Sequence, residues 1–375
     1  MAASKVFAYG ALTLRVESDD PLALRWLDEF LTPSFALTDA ADPTCQVSLV
    51  IDDGLYQQTR ARGPDSSGET IASFVLDTEV IALPVWRSAN EEQVLFDERF
   101  QVFYSLTPDR RRVRLVTPTN NLRARFALMR VVREYAMSSA QAGDRLILHG
   151  AALALENDGL VIVGPKGAGK TTLLVHLLHE SRAAFVSNDR VVADLEPPQP
   201  MWRGMPTVVS IRAEMLGFFP DFQQRLVGRP YHHLLAAAEL ESAAPARERV
   251  ALRTKVSLSP PQFCRLLGTK MRPEARARVL LFPRVAEEEA GLRLTLLSAE
   301  EATERLLGGL FAAERAPAIS AVFDIGTSAA PPTHERRLAL SRKLRCFEVV
   351  LGRQAYTRKS AAHLLDNVLR PATSS

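Results

Sequence analysis

A glycine-rich segment near the middle of the chain carries the residue types that bind nucleotide phosphates. Residues 164–171 read GPKGAGKT and match the pattern G-x-x-x-x-G-K-[ST] in full. Glycines allow a turn whose backbone N–H groups face inward around phosphates, and the following helix adds the positive end of its dipole. In this pattern Lys170 bridges the β- and γ-phosphates and the Thr171 hydroxyl binds Mg²⁺. The segment therefore predicts a phosphate-binding loop for ATP and Mg²⁺.

We assign the whole loop and the next residue to nucleotide binding. The assigned residues are Gly164, Pro165, Lys166, Gly167, Ala168, Gly169, Lys170, Thr171 and Thr172. Lys166 is an extra cation, but it does not stand at the spacing of the signature lysine in deviant loops of this kind. We expect it to be an exposed loop lysine, and a γ-phosphate contact is the alternative. For the segment as a whole, the alternative is a fortuitous glycine turn.

Two further polar residues belong to strands that should adjoin this loop. Asp189 follows the next apolar strand, where it can hold Mg²⁺ or accept a proton from an attacking hydroxyl. We assign it to both roles; the alternative is a cap or turn aspartate. His149 lies in a short strand that should pair beside the loop strand. We place it with Asp189 and Lys170 in the catalytic set, and a purely structural histidine is the alternative.

The elements around these residues read as an α/β unit. Residues 145–155 are strand-like, and residues 160–163 form a continuous apolar run typical of a strand buried on both faces. A helix is predicted over 172–180 and another strand over 183–186. A strand, a loop, a helix and a strand in succession predict a parallel sheet.

The N-terminal third is strand-rich and contains no motif with assignable chemistry. A helix is predicted over 21–31 after acidic cap candidates, and a hairpin joins 101–106 to 111–116. The helix over 121–140 carries arginines that we expect on a solvated face. We divide the chain into a strand-rich α+β domain, residues 1–140, which could bind the substrate or a partner, and a P-loop nucleotide-binding domain, residues 141–375.

Further elements are predicted beyond the loop region. Strands are expected over 208–211, 278–282, 292–297 and 346–351, and helices over 299–311 and 359–369. Residues 220–244 include helical material, and residues 242–249 should be exposed. A turn or loop is expected over 64–68 and over 328–332, and residues 371–375 should be frayed.

Composition excludes several classes of protein. The 375 residues carry 46 Lys and Arg against 43 Asp and Glu, a net charge of +3 that is too small for a nucleic-acid partner. Cys45, Cys264 and Cys346 are widely spaced, which argues against a disulfide framework or a zinc site. No signal peptide or membrane span is evident, so we expect a soluble cytoplasmic protein with no membrane partner. The sequence leaves a homo-oligomer open.

Three short motifs together resemble a known family. His149-Gly150, the GPKGAGKT loop and Ser187-Asn188-Asp189-Arg190-Val191 resemble the C-terminal kinase domain of HPr kinase/phosphorylase. The resemblance implies a P-loop domain related to phosphoenolpyruvate carboxykinase and phosphate transfer from ATP to a serine hydroxyl. It also implies that Asp189, the second acid of the family's pair, is the general base. The first acid of that pair is Asn188 here, which argues against a mechanism with two acids.

The resemblance covers residues 145–195 and extends less closely to about residue 310. Residues 202–206 contain the family's Arg-Gly but lack its preceding metal-binding acid, so we expect no phosphorylase activity. The remaining pattern is similar to divergent relatives that occur with peptide-modifying gene sets, some of which phosphorylate serine of a precursor peptide. Arg190, and Arg284 after the Phe-Pro of the late strand, are each expected at the surface.

Two classes of function remain open from the sequence. The first is a kinase whose acceptor is a hydroxyl of a peptide, a protein or a small metabolite, with Asp189 as general base. The second is an ATP-binding or ATP-hydrolysing regulatory module that acts on a partner protein. The absence of an LSGGQ-like segment argues against an ABC-type ATPase. Phosphate transfer to a supplied acceptor separates the two classes.

Overall fold

The structure is a computed structural model, and it describes residues 3–63, 69–75, 79–88, 90–143, 145–195, 199–227, 255–286, 288–310, 323 and 333–369. The described chain forms two compact units. The first contains the residues up to 143 together with Phe323, and the second contains the other residues from 145 onward. Each unit combines a large sheet with helices, so the fold is mixed α/β.

Nine strands of the first unit form one sheet. They are β1 (Ala3–Tyr9), β2 (Leu12–Ser18), β3 (Ala36–Leu37), β4 (Cys45–Ile51), β5 (Thr70–Val75), β6 (Glu79–Arg87), β7 (Gln93–Asp97), β8 (Val102–Leu106) and β9 (Arg112–Thr117). Their spatial order is β3-β1-β2-β4-β9-β8-β7-β6-β5. The pairs β2–β4 and β4–β9 are parallel, and the other neighbours are antiparallel.

Three helices pack on this sheet: α1 (Pro21–Leu31), α2 (Asp53–Ala61) and α3 (Leu122–Ala142). The predicted bounds of α1 are confirmed, because the Asp20 side chain accepts from the first free backbone N–H groups and Pro21 fits the first helical position. On α2, Tyr56 packs against Phe103, Val94 and Val116 of the sheet.

Two of the four arginines of α3 do not lie on the expected solvated face, whereas Arg123 is exposed as predicted. Arg125 and Arg130 are buried, with 4% and 8% of their surface exposed. Arg130 lies 3.5 Å from the carboxylate of Asp97, which is fully buried, and Arg125 hydrogen-bonds the Asn120 side chain and lies 3.8 Å from Asp20. The prediction was wrong because these guanidinium groups find acidic and amide partners elsewhere in the chain, which offsets their loss of hydration.

The second unit contains ten strands and seven helices within its described residues. The strands are β10 (Leu146–Leu155), β11 (Asp158–Val163), β12 (Ala184–Ser187), β13 (Arg190–Asp194), β14 (Met201–Met205), β15 (Val209–Arg212), β16 (Lys255–Leu258), β17 (Glu274–Val285), β18 (Leu292–Leu296) and β19 (Arg345–Leu351). The helices are α4 (Lys170–Glu180), α5 (Ala213–Leu216), α6 (Pro220–Val227), α7 (Pro260–Leu267), α8 (Ala299–Leu307), α9 (His334–Lys343) and α10 (Arg358–Leu369).

Five strands of this unit close into a ring. The order is β11-β10-β13-β14-β17, and β17 pairs back to β11 in parallel. Along one edge, β17 pairs first with β14, at Glu274–Arg276, and then with β19, beginning at Val279. β18 pairs with β19, so these two strands extend the sheet beyond the ring. All five strands contribute to one apolar cluster that contains Trp202 and several alanines. Small side chains suit the narrow interior of a ring of so few strands.

The parallel arrangement predicted around the glycine-rich loop is only partly present. β11 is parallel to β17 but antiparallel to β10, and β12 pairs with β10 rather than with β11. The sheet is therefore mixed. The sequence pattern correctly indicated buried strands, but burial on two faces does not specify which neighbour a strand takes or in which direction it runs.

A second apolar cluster covers the other face of the strands and buries α4. Leu173, Leu174 and Leu177 of α4 are fully buried there, together with residues of β11, β17, β19 and α10. This packing fixes the axis of the helix that follows the glycine-rich loop. The helix predicted over 299–311 ends earlier, at Leu307.

Some predictions fall elsewhere in the chain. The turn at 64–68, the exposed stretch at 242–249, the loop at 328–332 and the tail at 371–375 lie outside the described residues. Within the described part, no helix is long and apolar enough to cross a membrane.

His176 is a buried histidine on α4 with an unusual environment. It has no exposed surface, its ring meets Phe219 and Tyr356, and neither ring nitrogen has a hydrogen-bond partner among the described residues. Burial lowers the pKa of His176 from 6.5 to about 4 because the charged form would lose its hydration. Below pH 6.5 the unfolded chain therefore binds a proton that the folded protein does not.

This difference predicts a loss of stability in acid. Between pH 7 and pH 5 the term from His176 should remove about 2 kcal/mol from the free energy of unfolding, and the loss should continue until about pH 4. Replacing the residue, as in His176→Leu, should abolish this part of the pH dependence. Urea denaturation of both proteins at several pH values measures the difference.

Leu177→Val, at a fully buried position on the same helix, provides the control, because it lowers stability without removing a titratable group. This variant should keep the wild-type slope between pH 7 and pH 5. Equal slopes in wild type and His176→Leu would show that His176 does not titrate differently in the folded protein.

Candidate functional site

The glycine-rich loop joins the end of β11 to the start of α4. It turns through two left-handed backbone positions, Gly167 with φ +89° and Gly169 with φ +93°, conformations that residues with a Cβ rarely adopt. A Cβ on Gly169 would also lie 3.2 Å from Val285 Cγ2 and 3.3 Å from Leu351 Cδ1. The sequence places glycine at both positions, so the loop adopts this path without steric strain.

The N-terminus of α4 presents backbone N–H groups that are available to an anion. Gly169 occupies the N-cap position and no side chain accepts a hydrogen bond from the first turn as a cap. Because the first N–H groups of a helix have no intrahelical acceptor, they and the positive end of the helix dipole favour a negatively charged ligand. Thr171 and Thr172 are half-buried in this first turn, and Pro165, Lys166 and Gly167 are exposed around it.

Lys170 lies across the loop rather than in solvent. Only 9% of its surface is exposed, and its Nζ donates to the carbonyl oxygens of Gly164 at 2.6 Å and Pro165 at 3.0 Å. These bonds hold the ammonium group beside the loop backbone. A cation held in this way can contact phosphate oxygens bound by the loop without a large movement.

A second group of polar side chains converges near the same edge. His149 Nε2 lies 3.3 Å from Asp189 Oδ1, and Arg190 Nε lies 3.6 Å from Asp189 Oδ2. The side chains of His149 and Asp189 are each 19% exposed, whereas that of Arg190 is 7% exposed. The carboxylate is thus flanked by an imidazole and a guanidinium and remains accessible from solvent.

The backbone explains why these groups come together. β12 and β13 both pair antiparallel with β10, and the chain between them, Asn188-Asp189, interrupts the ladder opposite Gly150. The N–H of Gly150 donates to the carbonyl of Asp189 at 2.9 Å, while Gly150 is paired on its other side with Val163, the last residue before the loop. One residue of β10 therefore links the loop strand to the acid.

The neighbours of Asp189 hold this interruption in place. The side-chain amide of Asn188 donates to Val208 O at 3.1 Å and accepts from Thr207 Oγ1 at 3.1 Å. The hydroxyl of Ser187 donates to the carbonyl oxygens of Arg190 at 2.6 Å and Met205 at 3.1 Å. Asn188 thus anchors the turn that carries Asp189.

The two arginines expected at the surface differ. Arg284 is exposed, but Arg190 is buried, with 6% of its surface accessible. The expectation for Arg190 was wrong because the residue begins β13, which is paired with β10 and β14 on its two sides, and its side chain lies beside Asp189 rather than in solvent.

One contact at the site had no counterpart in the sequence predictions. After α8 the chain returns to β10, where the N–H of His149 donates to the carbonyl of Gly309 at 2.8 Å and Leu148 bridges to Leu310. The Gly308-Gly309 pair that ends the helical pattern is the signal that could have indicated this turn.

The residues predicted to hold Mg²⁺ are compatible with that ion but do not form a closed protein site. Thr171 supplies a hydroxyl in the first turn of α4, and Asp189 supplies a partly exposed carboxylate. Among the described residues no group of three or more His, Cys, Asp or Glu side chains is placed to hold a metal. Mg²⁺ characteristically takes one or two protein ligands and completes its shell with phosphate oxygens and water, which agrees with this donor set.

Comparison with known proteins gives little further information. No protein-family model matches the chain, and no curated protein matches its sequence. Among solved structures, the HPr(Ser) kinase/phosphatase from Coxiella burnetii resembles it with 8% sequence identity and a TM-score of 0.24, over 60% of this chain and 88% of that chain. A similarity of this size carries no argument, so the chemistry of the site rests on this chain's own residues.

The left-handed glycines predict a selective effect of substitution. A Cβ on Gly167 meets no atom within 4 Å, so Gly167→Ala should add only backbone strain, about 1–2 kcal/mol, without a packing clash. Because the anion cradle needs this backbone conformation, the variant should fold but lose the thermal stabilisation that Mg-ATP gives. Thermal unfolding with and without Mg-ATP measures this effect.

Gly268, the left-handed residue that ends α7, is the matched control. It has φ +71° and equally open surroundings, but it lies outside the loop. Gly268→Ala should cost comparable stability and retain the full shift with Mg-ATP. A normal shift in Gly167→Ala would contradict the cradle geometry.

Proposed function

We propose that this chain is an ATP-dependent kinase that transfers the γ-phosphate to a hydroxyl group. The observation that carries the proposal is the pairing at Gly150, which joins the strand of the glycine-rich loop on one side and the backbone of Asp189 on the other. A phosphate cradle and an accessible carboxylate thereby share one edge of the sheet. Phosphoryl transfer needs this combination of a positioned donor and a group that accepts the proton of the acceptor.

In this proposal the loop binds the phosphates of ATP. Backbone N–H groups of residues 164–171 and the first turn of α4 surround the β- and γ-phosphates, and Lys170 places its charge between them. Because Lys170 is already held beside the loop carbonyls of Gly164 and Pro165, little conformational entropy is lost when it shifts to phosphate oxygens.

Thr171 and Asp189 would hold Mg²⁺ together with phosphate oxygens. When bound, Mg²⁺ neutralises part of the charge on the β- and γ-phosphates. The protein's own contribution would be the hydroxyl of Thr171 in the first turn of α4 and the partly exposed carboxylate of Asp189.

Asp189 acts as the general base. The acceptor hydroxyl oxygen forms a bond to the γ-phosphorus as the bond between that phosphorus and the β,γ-bridging oxygen breaks, and ADP leaves with the electron pair. The hydroxyl proton passes to the Asp189 carboxylate and then to solvent. His149, 3.3 Å from that carboxylate, positions it by a hydrogen bond or a charge contact, according to its own protonation state.

The acceptor is proposed from chemistry and resemblance together. Serine of a peptide or protein is the first candidate because the motifs at His149, the loop and Asp189 resemble the HPr kinase family. A small hydroxylated metabolite remains the alternative within the same reaction class. The N-terminal unit is the proposed binding surface for a peptide or protein acceptor.

The role of Lys170 gives the first test of the proposal. Lys170→Met removes the charge and keeps an apolar stem of similar length, so the fold should persist while productive ATP binding is lost. Isothermal titration with Mg-ATP and assays of ATP turnover measure both effects. Lys359→Met, at an exposed position on α10, should behave as wild type. Unchanged ATP affinity and turnover in folded Lys170→Met would exclude a phosphate role for this lysine.

The role of Asp189 separates a kinase from a regulatory module. Asp189→Asn keeps the size of the side chain and removes its charge, so ATP should still bind while phosphate transfer falls by about 10²–10⁴-fold. Mass spectrometry of serine-containing peptides encoded near the gene, incubated with enzyme and ATP, detects the transfer. Nucleotide affinity should be measured with and without Mg²⁺, because loss of a metal contact would add to the effect.

Asp194 supplies the control for this substitution. It lies at the far end of β13 and pairs with Arg145 at 2.8 Å, so Asp194→Asn should affect stability and leave transfer intact. Transfer by Asp189→Asn at the wild-type rate would remove Asp189 from the mechanism. The regulatory module would be favoured if the wild type binds ATP, phosphorylates no supplied acceptor and binds a partner protein in a manner that depends on ATP.

A further inference from the structure

We propose that Arg190 is a catalytic residue that contacts the phosphoryl group while it is transferred. This inference rests on the proposed kinase function and adds a second cation to the one supplied by Lys170. In phosphoryl transfer, negative charge spreads over the equatorial oxygens of the moving group, and an arginine that meets this charge lowers the barrier.

The first observation is the face on which Arg190 lies. Val191 and Ala193 of β13 belong to the apolar cluster around Trp202, and alternate residues of a strand point to opposite faces, so Arg190 is directed to the face that carries α4. Its cross-strand partner in β10 is His149, which shares that face. Arg190, His149 and the head of α4 therefore lie on the same side of the sheet.

The second observation is distance along the sheet. β10 lies between β13 and β11, so the backbones of Arg190 and the loop strand are separated by two strand spacings, roughly 10 Å. The long side chain of an arginine can cover much of this gap. Its Nε already lies 3.6 Å from Asp189 Oδ2, the carboxylate proposed to receive the acceptor proton.

The third observation is the burial of this charge. Arg190 has only 6% of its surface exposed, and the Asp189 carboxylate beside it also lies 3.3 Å from His149. In a site with so little water, a guanidinium interacts more strongly with a negatively charged phosphoryl group than it would at the surface.

Arg190 fits this role better than Arg284. Arg284 follows the Phe-Pro of β17 at the carboxyl edge of the sheet but is exposed to solvent, where water screens its charge. The planar guanidinium of Arg190 can donate two hydrogen bonds to phosphate oxygens from a site with little water, where electrostatic interactions are stronger.

The test compares binding of ADP alone with binding of ADP plus aluminium fluoride, which imitates the planar phosphoryl group in transit. With Mg²⁺ present, wild type should bind the aluminium fluoride complex at least about 10²-fold more tightly than ADP. Arg190→Gln should lose most of this gain and keep its affinity for ADP. The rate at which Arg190→Gln transfers phosphate from ATP to a peptide hydroxyl should fall by roughly 10³-fold or more.

A second variant separates catalysis from folding. Arg190→Lys keeps the positive charge beside Asp189, so its thermal unfolding without nucleotide should match that of the wild type. Because lysine lacks the planar guanidinium that can donate two hydrogen bonds, this variant should still lose most of the extra affinity for the aluminium fluoride complex. Arg284→Gln is the control and should keep the gain in full. If either Arg190 variant folds and binds the aluminium fluoride complex with the wild-type gain, the inference is overturned.

The same experiment distinguishes failure of the inference from failure of the proposed function. If the wild type transfers phosphate and Arg190→Gln still binds ADP with aluminium fluoride as much more tightly than ADP as the wild type does, the kinase proposal stands. The role of Arg190 in the reaction is then excluded. Wild-type protein that binds neither ADP nor the aluminium fluoride complex overturns the kinase proposal, and the role of Arg190 with it.

Discussion

The backbone of Gly150 is the point on which the geometry of the site depends. Its N–H donates to the carbonyl of Asp189, and its other edge pairs with Val163, one residue before the glycine-rich loop. A Cβ at this position would lie 2.9 Å from Ile162 O, closer than real Cβ atoms approach a neighbour. Any side chain here would push β11 away from β10 and separate the loop from the acid. The spacing between the glycine-rich loop and the backbone of Asp189 is therefore set by main-chain hydrogen bonds.

The closed ring extends this rigidity to the rest of the unit. Because β17 pairs with both β14 and β11, each strand that carries a site residue is hydrogen-bonded on two sides. One apolar cluster, which contains Trp202, joins buried residues of all five strands. Trp202 also donates from Nε1 to the carbonyl of Gly159 at 3.2 Å, at the start of the loop strand. The ring thus holds β11 at its beginning, and α4 holds it from the outer face through buried leucines.

Local chemistry in the sequence predicted the parts of the structure that depend on neighbouring residues. The N-cap of α1 at Asp20 and the glycine turn of the loop follow from residue types within one turn of chain, whereas α4 begins at Lys170, two residues before its predicted start. Pairing between distant segments could not be read in this way. The interruption at Asn188-Asp189 looked like the end of a parallel strand because its apolar residues stop there, although the chain resumes pairing with the same neighbour at Arg190. Burial of Arg125, Arg130 and Arg190 was missed for a related reason, since their acidic partners or enclosing strands are fixed by the tertiary fold.

Two arginine–aspartate pairs, one in each unit, differ in how far they are enclosed. Asp97 has no exposed surface and lies 3.5 Å from Arg130, with Arg99 also at 3.1 Å, so its charge is compensated inside the first unit and no ligand can reach it. Asp189 lies at a comparable distance from Arg190, yet its side chain is 19% exposed and it is shared with His149. Asp97 is closed to solvent and lies between two guanidinium groups, so these contacts serve the fold. Asp189 keeps access to solvent beside His149, and this difference in exposure is why the proposed function assigns proton transfer to Asp189 rather than to Asp97.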